Sequence, residues 1–357
     1  MHKFIRSLPP PLIPSAHSRV RVASGIPYVN GNETAIDGLD RLPDAGDSGA
    51  DALSRVPGHA IFEGFERTRL PTARGPLNAV VGGTGAPLLL LHGYPESLLM
   101  WHAVADALSS RHTVVATDLA GYGHSFRPRP APDHRPHSKR AMALDQVEAM
   151  EALGFDSFSV VGHDRGGRVA YRLALDHPDR VERLALLDIV PTAEVWRRAD
   201  AELARTYWHW SFLVQPEPLP ERLIGGDPQA FFDLHVRDQL GLGEEAGRFP
   251  HPILEAYRRA LADPDAVVAM CEDYRAGATV DREDDEVDRA CGRRIRCPVL
   301  VLWGAHGALP TLYGSVLDLW RPWADNLSGA ALDAGHFLAE DRPRETAERL
   351  LAFTSPY

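Results

Sequence analysis

Short apolar runs alternate along the chain, from residue 62 onwards, with stretches in which apolar residues recur at helical spacing. The run 87–91, a proline and four leucines, is typical of a strand buried on both faces. Residues 139–153 instead carry an apolar residue every three or four positions, as an amphipathic helix does. The predicted strands are 65–70, 77–81, 87–91, 113–117, 158–161, 183–190 and 299–303, and the helices between them are 98–108, 139–153 and 168–175. This alternation predicts an α/β fold with a mostly parallel sheet and helices on both faces.

The strand patterns stop between residues 191 and 294, a segment much longer than an ordinary connection. The sequence there predicts helices over 193–213, 228–240, 251–261 and 265–276. We therefore expect a helical cap inserted after the sixth strand. Helices 315–320 and 344–353 complete the second part of the core. The acidic run 281–288 is interpreted as a solvated surface, as most runs of like charge are.

Residues 1–60 differ from the rest of the chain. They hold seven prolines, scattered glycine and aspartate, and no sustained periodicity. We predict a Pro/Gly-rich N-terminal extension that is disordered and lies outside the fold. The expected organisation is this extension at 1–60, a first core segment at 61–190, the helical cap at 191–294 and a second core segment at 295–357.

The 357 residues include 49 acidic and 38 basic side chains, a formal net charge of −11. This balance argues against nucleic acid or an anionic membrane as a partner, because both would repel the chain. The three cysteines have no metal-ligand spacing, so we expect no metal site, and the apolar runs are too short to span a bilayer. Since no apolar segment near the N-terminus resembles a secretory signal, a cytoplasmic location is expected. A homodimer is one assembly that the sequence allows.

Small residues surround one aspartate between a predicted strand and a predicted helix. The segment 162–167 reads Gly-His-Asp-Arg-Gly-Gly, with Asp164 as its third residue. Flanking glycines are needed where a nucleophile is held on a strained strand-to-helix turn. An aspartate at that place attacks an alkyl carbon and forms an ester, whereas a serine would transfer acyl groups. The alternative is that Asp164 is a helix N-cap, a position that aspartate fills well.

Two backbone N–H groups are expected beside this aspartate. The tetrapeptide His-Gly-Tyr-Pro at 92–95 directly follows the leucine strand. In such a sheet, the loop after that strand supplies one donor of an oxyanion hole, and the residue after the nucleophile supplies the other. These donors would be the N–H groups of Tyr94 and Arg165. The alternative for 92–95 is a tight turn.

A histidine and a second acid complete the set. His336 lies in Ala-Gly-His-Phe between the last strand and the last helix, where a general base belongs in this chain order. The position after strand 299–303, where an acid is usual, reads Gly-Ala-His-Gly-Ala. Asp188, at the end of the preceding strand, is the available substitute. Its alternative role is a cap at a strand end.

From about residue 62 to its C-terminus, the chain resembles an α/β-hydrolase of the fluoroacetate (haloacetate) dehalogenase family. The motifs that carry the resemblance are HGYP at 92–95, GHDRGGR at 162–168, LLDIVPT at 186–192, YWHW at 207–210 and AGHF at 334–337. The resemblance implies an α/β-hydrolase fold with the helical cap described above. It does not extend to residues 1–60.

The resemblance also implies roles for eight side chains of this sequence. The implied catalytic set is Asp164 as nucleophile, His336 as general base and Asp188 as the acid that orients His336. The implied ligands of a substrate carboxylate are Arg165 and Arg168. The implied halide-binding residues are His209, Trp210 and Tyr274.

The two arginines can also be judged physically. Arg165 and Arg168 are three positions apart at the beginning of a helix and therefore share a face. Cations at a helix N-terminus oppose the helix dipole. Two of them beside a nucleophile make sense if the substrate is an anion, which guanidinium groups bind well. The alternative for Arg168 is a surface ion pair.

Together, these residues and the resemblance predict hydrolysis of a short, anionic 2-haloacid to glycolate and halide, without a metal or organic cofactor. Haloacetate is the expected substrate, with fluoroacetate as one candidate. The first alternative is an epoxide hydrolase, in which Tyr207, Tyr257 and Tyr274 are available to protonate the opening ring. A neutral epoxide, however, has no use for the arginine pair. The second alternative is a non-catalytic binding protein of the same fold.

Overall fold

The computed structural model describes residues 61–237, 241 and 249–355. The predicted disorder of residues 1–60 and the last part of the predicted helix 228–240 lie outside the described residues. Within the described chain, no helix is both long enough and apolar enough to span a membrane.

An eight-stranded sheet forms the centre of the core. Its strands are β1 Glu66–Leu70, β2 Leu77–Gly82, β3 Ala86–Leu91, β4 His112–Thr117, β5 Phe158–His163, β6 Val181–Leu187, β7 Val299–Gly304 and β8 Leu327–Leu332. They lie in the order β1-β2-β4-β3-β5-β6-β7-β8. Strand β2 is antiparallel to both of its neighbours, and the other neighbouring strands are parallel. The predicted α/β fold with a mostly parallel sheet is confirmed.

The central strands form as predicted because their apolar runs are buried on both faces. Residues 88–91 of β3 are inaccessible to solvent, and all six residues of β5 are buried. Strand β8, which the sequence pattern did not predict, lies at the edge of the sheet. Most of its residues are only partly buried, so its sequence lacks a continuous apolar run.

Helices and short helical turns cover the sheet. The core helices are α1 Ala105–Ser109, α2 Lys139–Ala152, α3 Asp164–Asp176, α12 Ala308–Tyr313, α13 Val316–Trp320, α14 Leu338–Asp341 and α15 Pro343–Thr354, with 3₁₀ turns at Leu98–Ala103 and Arg135–His137. The predicted helix 98–108 is interrupted at Val104, where the 3₁₀ turn ends and α1 begins. Helix α3 begins at Asp164, four residues before the predicted start at residue 168.

The segment between β6 and β7 is helical over its described residues. Its helices are α4 Thr192–Arg197, α5 Ala201–Thr206, α6 Trp208–Leu213, α7 Leu219–Gly226, α8 Pro228–Phe231, α9 His251–Ala262, α10 Pro264–Ala278 and α11 Val280–Ala290, with a π-helical turn at Phe232–Arg237. The predicted helix 193–213 is three short helices. One break lies at Asp200, whose side chain caps α5 by accepting the N–H of Leu203 at 2.9 Å.

The interpretation of the acidic run 281–288 as a solvated surface is correct for Glu283 and Glu286, which are exposed, and wrong for the opposite face of the helix. The run forms most of α11, and its members Asp281, Asp285 and Asp288 are buried. They recur at helical spacing and therefore share one face. That face meets the core, where Arg172 of α3 donates to the carboxylates of Asp285 and Asp288. Buried cations of the core, which periodicity cannot reveal, explain why these three aspartates are not solvated.

Candidate active site

The predicted catalytic residues come together at the carboxyl ends of neighbouring strands. Asp164 directly follows β5, and Asp188 directly follows β6. Tyr94 is the third residue after β3. His336 lies in the loop after β8. Strands β3 and β5 are adjacent, although β4 separates them in sequence, so the direction of the connections reverses between them. Open α/β sheets bind ligands at such a switch point.

Asp164 occupies a sharp turn between β5 and α3. Its φ is +43°, a left-handed conformation that costs energy for a residue other than glycine. A Cβ on Gly166 would lie 2.4 Å from the carbonyl oxygen of Leu91, so only glycine allows α3 to approach β3 this closely. The side chain of Asp164 does not cap the helix. Its Oδ2 instead accepts the backbone N–H of Tyr94 at 3.0 Å, which places the first predicted oxyanion donor at the predicted nucleophile.

His336 and Asp188 form a short hydrogen bond. His336 Nδ1 donates to Asp188 Oδ2 at 2.6 Å, and the backbone N–H of Gly304 donates to Asp188 Oδ1 at 2.9 Å. Asp188 is buried, and its φ of +50° is also left-handed. The carboxylate thus fixes the imidazole ring and leaves Nε2 available to water or substrate.

The charged residues around Asp164 and His336 lower the pKa of the aspartate and raise that of the histidine. Burial by itself raises the pKa of Asp164, but the positive charges of His336 and Arg165 outweigh burial and hold this pKa below its ordinary value. Burial by itself lowers the pKa of His336, but the hydrogen bond and charge of Asp188, together with the charge of Asp164, raise it to about 9. At neutral pH the group therefore contains an ionised Asp164 beside a protonated His336.

We expect the stability of the protein to fall between pH 6.5 and 9. Because folding raises the pKa of His336 from 6.5 to about 9, the folded state binds this proton more tightly than the unfolded state. The resulting stabilisation is complete below pH 6.5 and is lost as the pH rises through 9. Thermal unfolding midpoints across this range should decline in the native protein and decline less in His336→Gln. A His306→Gln control should keep the native decline, and equal declines in all three proteins would contradict the assignment.

A cavity of about 460 Å³ extends from the predicted catalytic residues to the helical segment between β6 and β7. Asp164, Asp188 and His336 line it from the core. Its other lining residues include the predicted halide-binding residues His209, Trp210 and Tyr274.

The three predicted halide-binding residues are buried against one another. The ring centroids of Trp210 and Tyr274 are 5.8 Å apart, and those of His209 and Tyr274 are 5.9 Å apart. Burial, followed by the charge of His235, lowers the pKa of His209 well below 6.5, so this imidazole is neutral. Its Nδ1 has no hydrogen-bond partner among the described residues. Burial raises the pKa of Tyr274 well above its usual range, which keeps the phenol a hydrogen-bond donor.

The two predicted carboxylate ligands have different surroundings. Arg168 lines the cavity, and its Nη1 donates to the carbonyl oxygen of Val190 at 3.1 Å and to Thr192 Oγ1 at 3.0 Å. Arg165 is fully buried, and its Nε donates to Asp273 Oδ2 at 2.7 Å. The two side chains are therefore both close to the site, but only Arg168 is among the lining residues of the described cavity. The backbone of Arg165 directly follows Asp164, as a second oxyanion donor requires.

The sequence prediction missed a buried pair of side chains next to the predicted catalytic residues. His163 Nδ1 lies 3.0 Å from Glu96 Oε2, and His163 Nε2 donates to the backbone oxygen of His336 at 2.9 Å. The pair thus ties the loop that carries Tyr94 to the loop that carries His336. A signal was present in the sequence, because His163 lies inside the motif 162–167 and Glu96 directly follows the segment 92–95.

The tyrosines of the epoxide alternative are divided between two cavities. Tyr207 and Tyr274 line the cavity that contains Asp164. Tyr257 instead lines a separate cavity of about 550 Å³, which Glu96 also lines. Two of the three tyrosines named for ring protonation are therefore placed near the predicted nucleophile.

Comparisons with known proteins agree with this architecture. The family model described as alpha/beta hydrolase fold matches residues 86–343. A fluoroacetate dehalogenase from Burkholderia sp. is 46% identical over 295 residues, which cover 83% of this chain and 95% of that protein. A soluble epoxide hydrolase from Corynebacterium sp. (strain C12) is 31% identical over 282 residues, or 78% of this chain and 94% of that protein.

A solved structure, described as a putative alpha/beta hydrolase, has a similar fold. The crystal structure of ALR0039 from Nostoc sp. PCC 7120 is similar to this chain with a TM-score of 0.79 and 49% sequence identity. The match covers 83% of this chain and 100% of that chain.

Proposed function

The chain belongs to the fluoroacetate/haloacetate dehalogenase family of α/β-hydrolases, and from this premise we propose that it hydrolyses short 2-haloacids, with haloacetate as the model substrate. The observation that carries the proposal is one cavity lined by both Asp164 and Arg168. A carboxylate nucleophile suits attack on an alkyl carbon, and a guanidinium group beside it suits an anionic substrate. The fluoroacetate dehalogenase relative supports this reaction class.

In the first step, one oxygen of Asp164 attacks the carbon that bears the halogen. Since Tyr94 N–H holds Oδ2, Oδ1 is the attacking atom. The new C–O bond forms as the carbon–halogen bond breaks, and the bonding electrons leave with the halide ion. Donors on His209, Trp210 and Tyr274 would stabilise that anion, because neutral N–H and O–H groups in a buried site bind a developing negative charge.

In the second step, water attacks Cγ of the Asp164 ester while His336 accepts its proton. The oxyanion that forms on Oδ2 is held by the N–H of Tyr94. The Cγ–Oδ1 bond then breaks, Oδ1 leaves with glycolate and takes the proton from His336. The second proton of the water remains on the carboxyl group of Asp164 and passes to solvent, which restores the carboxylate. Esterification also removes the negative charge of Asp164, which contributes to the raised pKa of His336. Formation of the ester thus lowers this pKa and prepares His336 to act as a base.

Epoxide hydrolysis is the second candidate, and one observation favours it. Tyr207 and Tyr274 line the cavity with Asp164, and burial raises the pKa of both phenols well above the usual range, which keeps them protonated. They are thus able to donate to an epoxide oxygen. Against this, the buried cation of Arg168 in the same cavity would face a neutral substrate without compensation.

Halide release from a matched substrate series tests the proposal. Fluoroacetate, chloroacetate and bromoacetate are compared with chloroacetamide, which has nearly the same shape but no charge, and with a neutral epoxide. We expect chloroacetate to exceed chloroacetamide roughly 10²-fold in kcat/KM, because a few kcal/mol of charged hydrogen bonding is lost with the amide. Halide is measured with an ion-selective electrode, and diol formation reports on the epoxide.

The relative rates decide between the candidates. Turnover of the epoxide alone would overturn the dehalogenase proposal. Equal turnover of chloroacetate and chloroacetamide would contradict recognition of the carboxylate, even if halide is released from both. Absence of turnover on the whole series would favour the binding-protein alternative.

A further inference from the structure

A second cavity lies close to the catalytic one, and the proposed mechanism does not use it. Its volume is about 550 Å³, within the range of about 300 to 1,000 Å³ that is typical of small-molecule sites. Helix α9 lines it on one side, and the loops after β3 and β4 line it on the other. Tyr94 lines the catalytic cavity and Pro95 lines the second one, but among the described residues no residue lines both.

Two buried side chains of this second cavity each have a polar atom that the fold does not use. Glu96 and Tyr257 line the cavity and are 2% and 1% exposed. Glu96 Oε1 and the hydroxyl of Tyr257 have no hydrogen-bond partner among the described residues. Buried polar atoms normally have a partner, because a missing hydrogen bond there costs free energy. These two atoms, which we call the inner pair, are therefore available to a ligand.

Asp118, another buried acid that lines the second cavity, is fully used by the fold. Its Oδ1 accepts the N–H of Leu98 at 2.8 Å, and its Oδ2 accepts Asn78 Nδ2 at 2.8 Å and the N–H of His124 at 2.9 Å. This carboxylate thus joins three segments of the core. Glu96 is left as the buried acid that can bind a ligand in this cavity.

The inner pair combines an acceptor with a donor. A carboxylate oxygen such as Glu96 Oε1 accepts a hydrogen bond. Burial, followed by the charges of Glu340 and Glu96, raises the pKa of Tyr257 well above its usual range, so its phenol remains a donor. A ligand hydroxyl can donate to the carboxylate and accept from the phenol, whereas an ammonium group cannot accept and a carboxylate cannot donate. The inner pair therefore suits an alcohol.

Three exposed arginines line the same cavity nearer to solvent. They are Arg67, Arg127 and Arg259. Arg127 Nη2 is paired with Asp263 Oδ2 at 2.7 Å. In the part of the chain that the structure describes, no carboxylate lies within ion-pair distance of Arg67 or Arg259. Guanidinium groups without an acid partner suit an anion, and they bind carboxylates in a planar, bidentate manner.

We propose that the second cavity is a binding site for a polyhydroxylated carboxylate, the chemical class of the sugar acids. One hydroxyl of the ligand binds Glu96 and Tyr257, and its carboxylate lies toward Arg67 and Arg259. The site is independent of the proposed dehalogenation, because it contains none of the residues that act on the haloacid. Its ligand can therefore be bound while the catalytic cavity is empty.

Three compounds with the same six-carbon chain test this site by isothermal titration calorimetry on the whole chain. Gluconate has both the hydroxyls and the carboxylate, sorbitol lacks the carboxylate, and hexanoate lacks the hydroxyls. We expect gluconate to bind at least about tenfold more tightly than either, because each of the others loses one set of hydrogen bonds. Added salt should weaken gluconate binding, since the arginines are exposed. Equal affinity for the three compounds, or no binding of gluconate, would overturn the proposal.

A pair of matched tyrosine variants locates the bound gluconate. Tyr257→Phe removes the donor of the inner pair and should weaken gluconate binding roughly three- to tenfold, the effect of one lost hydrogen bond. Tyr207→Phe is the control, since Tyr207 lines the catalytic cavity instead, and it should leave the dissociation constant unchanged. Weaker binding in Tyr207→Phe with native binding in Tyr257→Phe would place gluconate in the catalytic cavity and refute the second site.

Two neighbouring arginines of α9 provide the corresponding test of the carboxylate. Arg259→Gln should weaken gluconate binding about fivefold at low salt, because a charged hydrogen bond is lost. Arg258 does not line the cavity and is paired with Glu255 at 2.8 Å, so Arg258→Gln should bind gluconate as the native protein does. Equal weakening by both variants would indicate attraction to overall charge and contradict the site. If Tyr257→Phe does not fold, this exposed pair and the three compounds still decide the question.

The outcome for the second cavity can be separated from that for dehalogenation. No halide measurement enters the calorimetry, so absence of haloacid turnover leaves the gluconate result unaffected. Conversely, failure of gluconate to bind would refute the second site and leave the proposed reaction at Asp164 unchanged.

Discussion

The Asp164→Asn variant is expected to release no measurable halide from chloroacetate. A neutral amide does not attack an alkyl carbon, and loss of a covalent nucleophile lowers turnover by at least about 10⁴-fold. The side chain should remain in place, because the amide oxygen can still accept the N–H of Tyr94 that binds Oδ2 at 3.0 Å. Halide release and thermal unfolding are measured on the same preparation, so that loss of activity is separated from loss of fold.

Asp333→Asn is the control for this result. Asp333 is an exposed carboxylate three residues before His336, bound to His306 at 2.7 Å, and its replacement should leave turnover close to the native value. A general-base role for Asp164 would also abolish activity, so an isotope measurement separates the two roles. In a single turnover in ¹⁸O-water, the nucleophilic role places the label in the carboxyl group of Asp164. Label in glycolate during that first turnover would refute the ester.

The His336→Gln variant is expected to form the ester and then stop. Displacement of halide by Asp164 needs no base, whereas hydrolysis needs a group that accepts a proton from water, a contribution of about 10²–10⁴-fold. Intact-protein mass spectrometry after incubation with chloroacetate should therefore show one added carboxymethyl group. One equivalent of halide should be released in a burst without continued turnover.

Two further variants test whether the adduct forms on Asp164 and whether its accumulation is caused by the loss of His336. The double variant Asp164→Asn/His336→Gln should show no adduct, because it lacks the nucleophile. His306→Gln also removes a histidine that lines the cavity, but it should turn over normally, since His306 bonds to the exposed Asp333 and not to Asp188. Absence of an adduct in His336→Gln, with the variant folded, would contradict the two-step mechanism.

The central sheet could be predicted from sequence because its signal is local. A run such as Leu88–Leu91 is apolar at every position only when both faces of the strand are buried. The edge strand β8 gave no such signal, since solvent reaches most of its residues. The positions of Asp164 and His336 could be predicted for a related reason. Each lies in a short motif next to a strand end, and the glycines of these motifs indicate that backbone segments pack closely there.

The environments of the two arginines could not be predicted in this way. Arg165 and Arg168 lie on one turn of α3, and the sequence analysis predicts the same role for both. The structure pairs Arg165 with Asp273, 108 positions away along the chain, and leaves Arg168 with neutral oxygens. The burial of Asp281 and Asp285 in the acidic run is a second case, since it depends on Lys139 and Arg172 of the core.

The sequence by itself determined the fold class, placed the proposed catalytic residues at strand ends and offered an aspartate as the proposed nucleophile. Periodicity, turn glycines and residue type are local properties, so they can be recognised in the sequence without knowledge of distant contacts. The tertiary structure alone decided which charges are matched, how far the pKa of His336 rises and which arginine faces the cavity. Those quantities depend on distances between groups that the chain brings together only on folding, and electrostatic energies in a buried site change steeply with such distances.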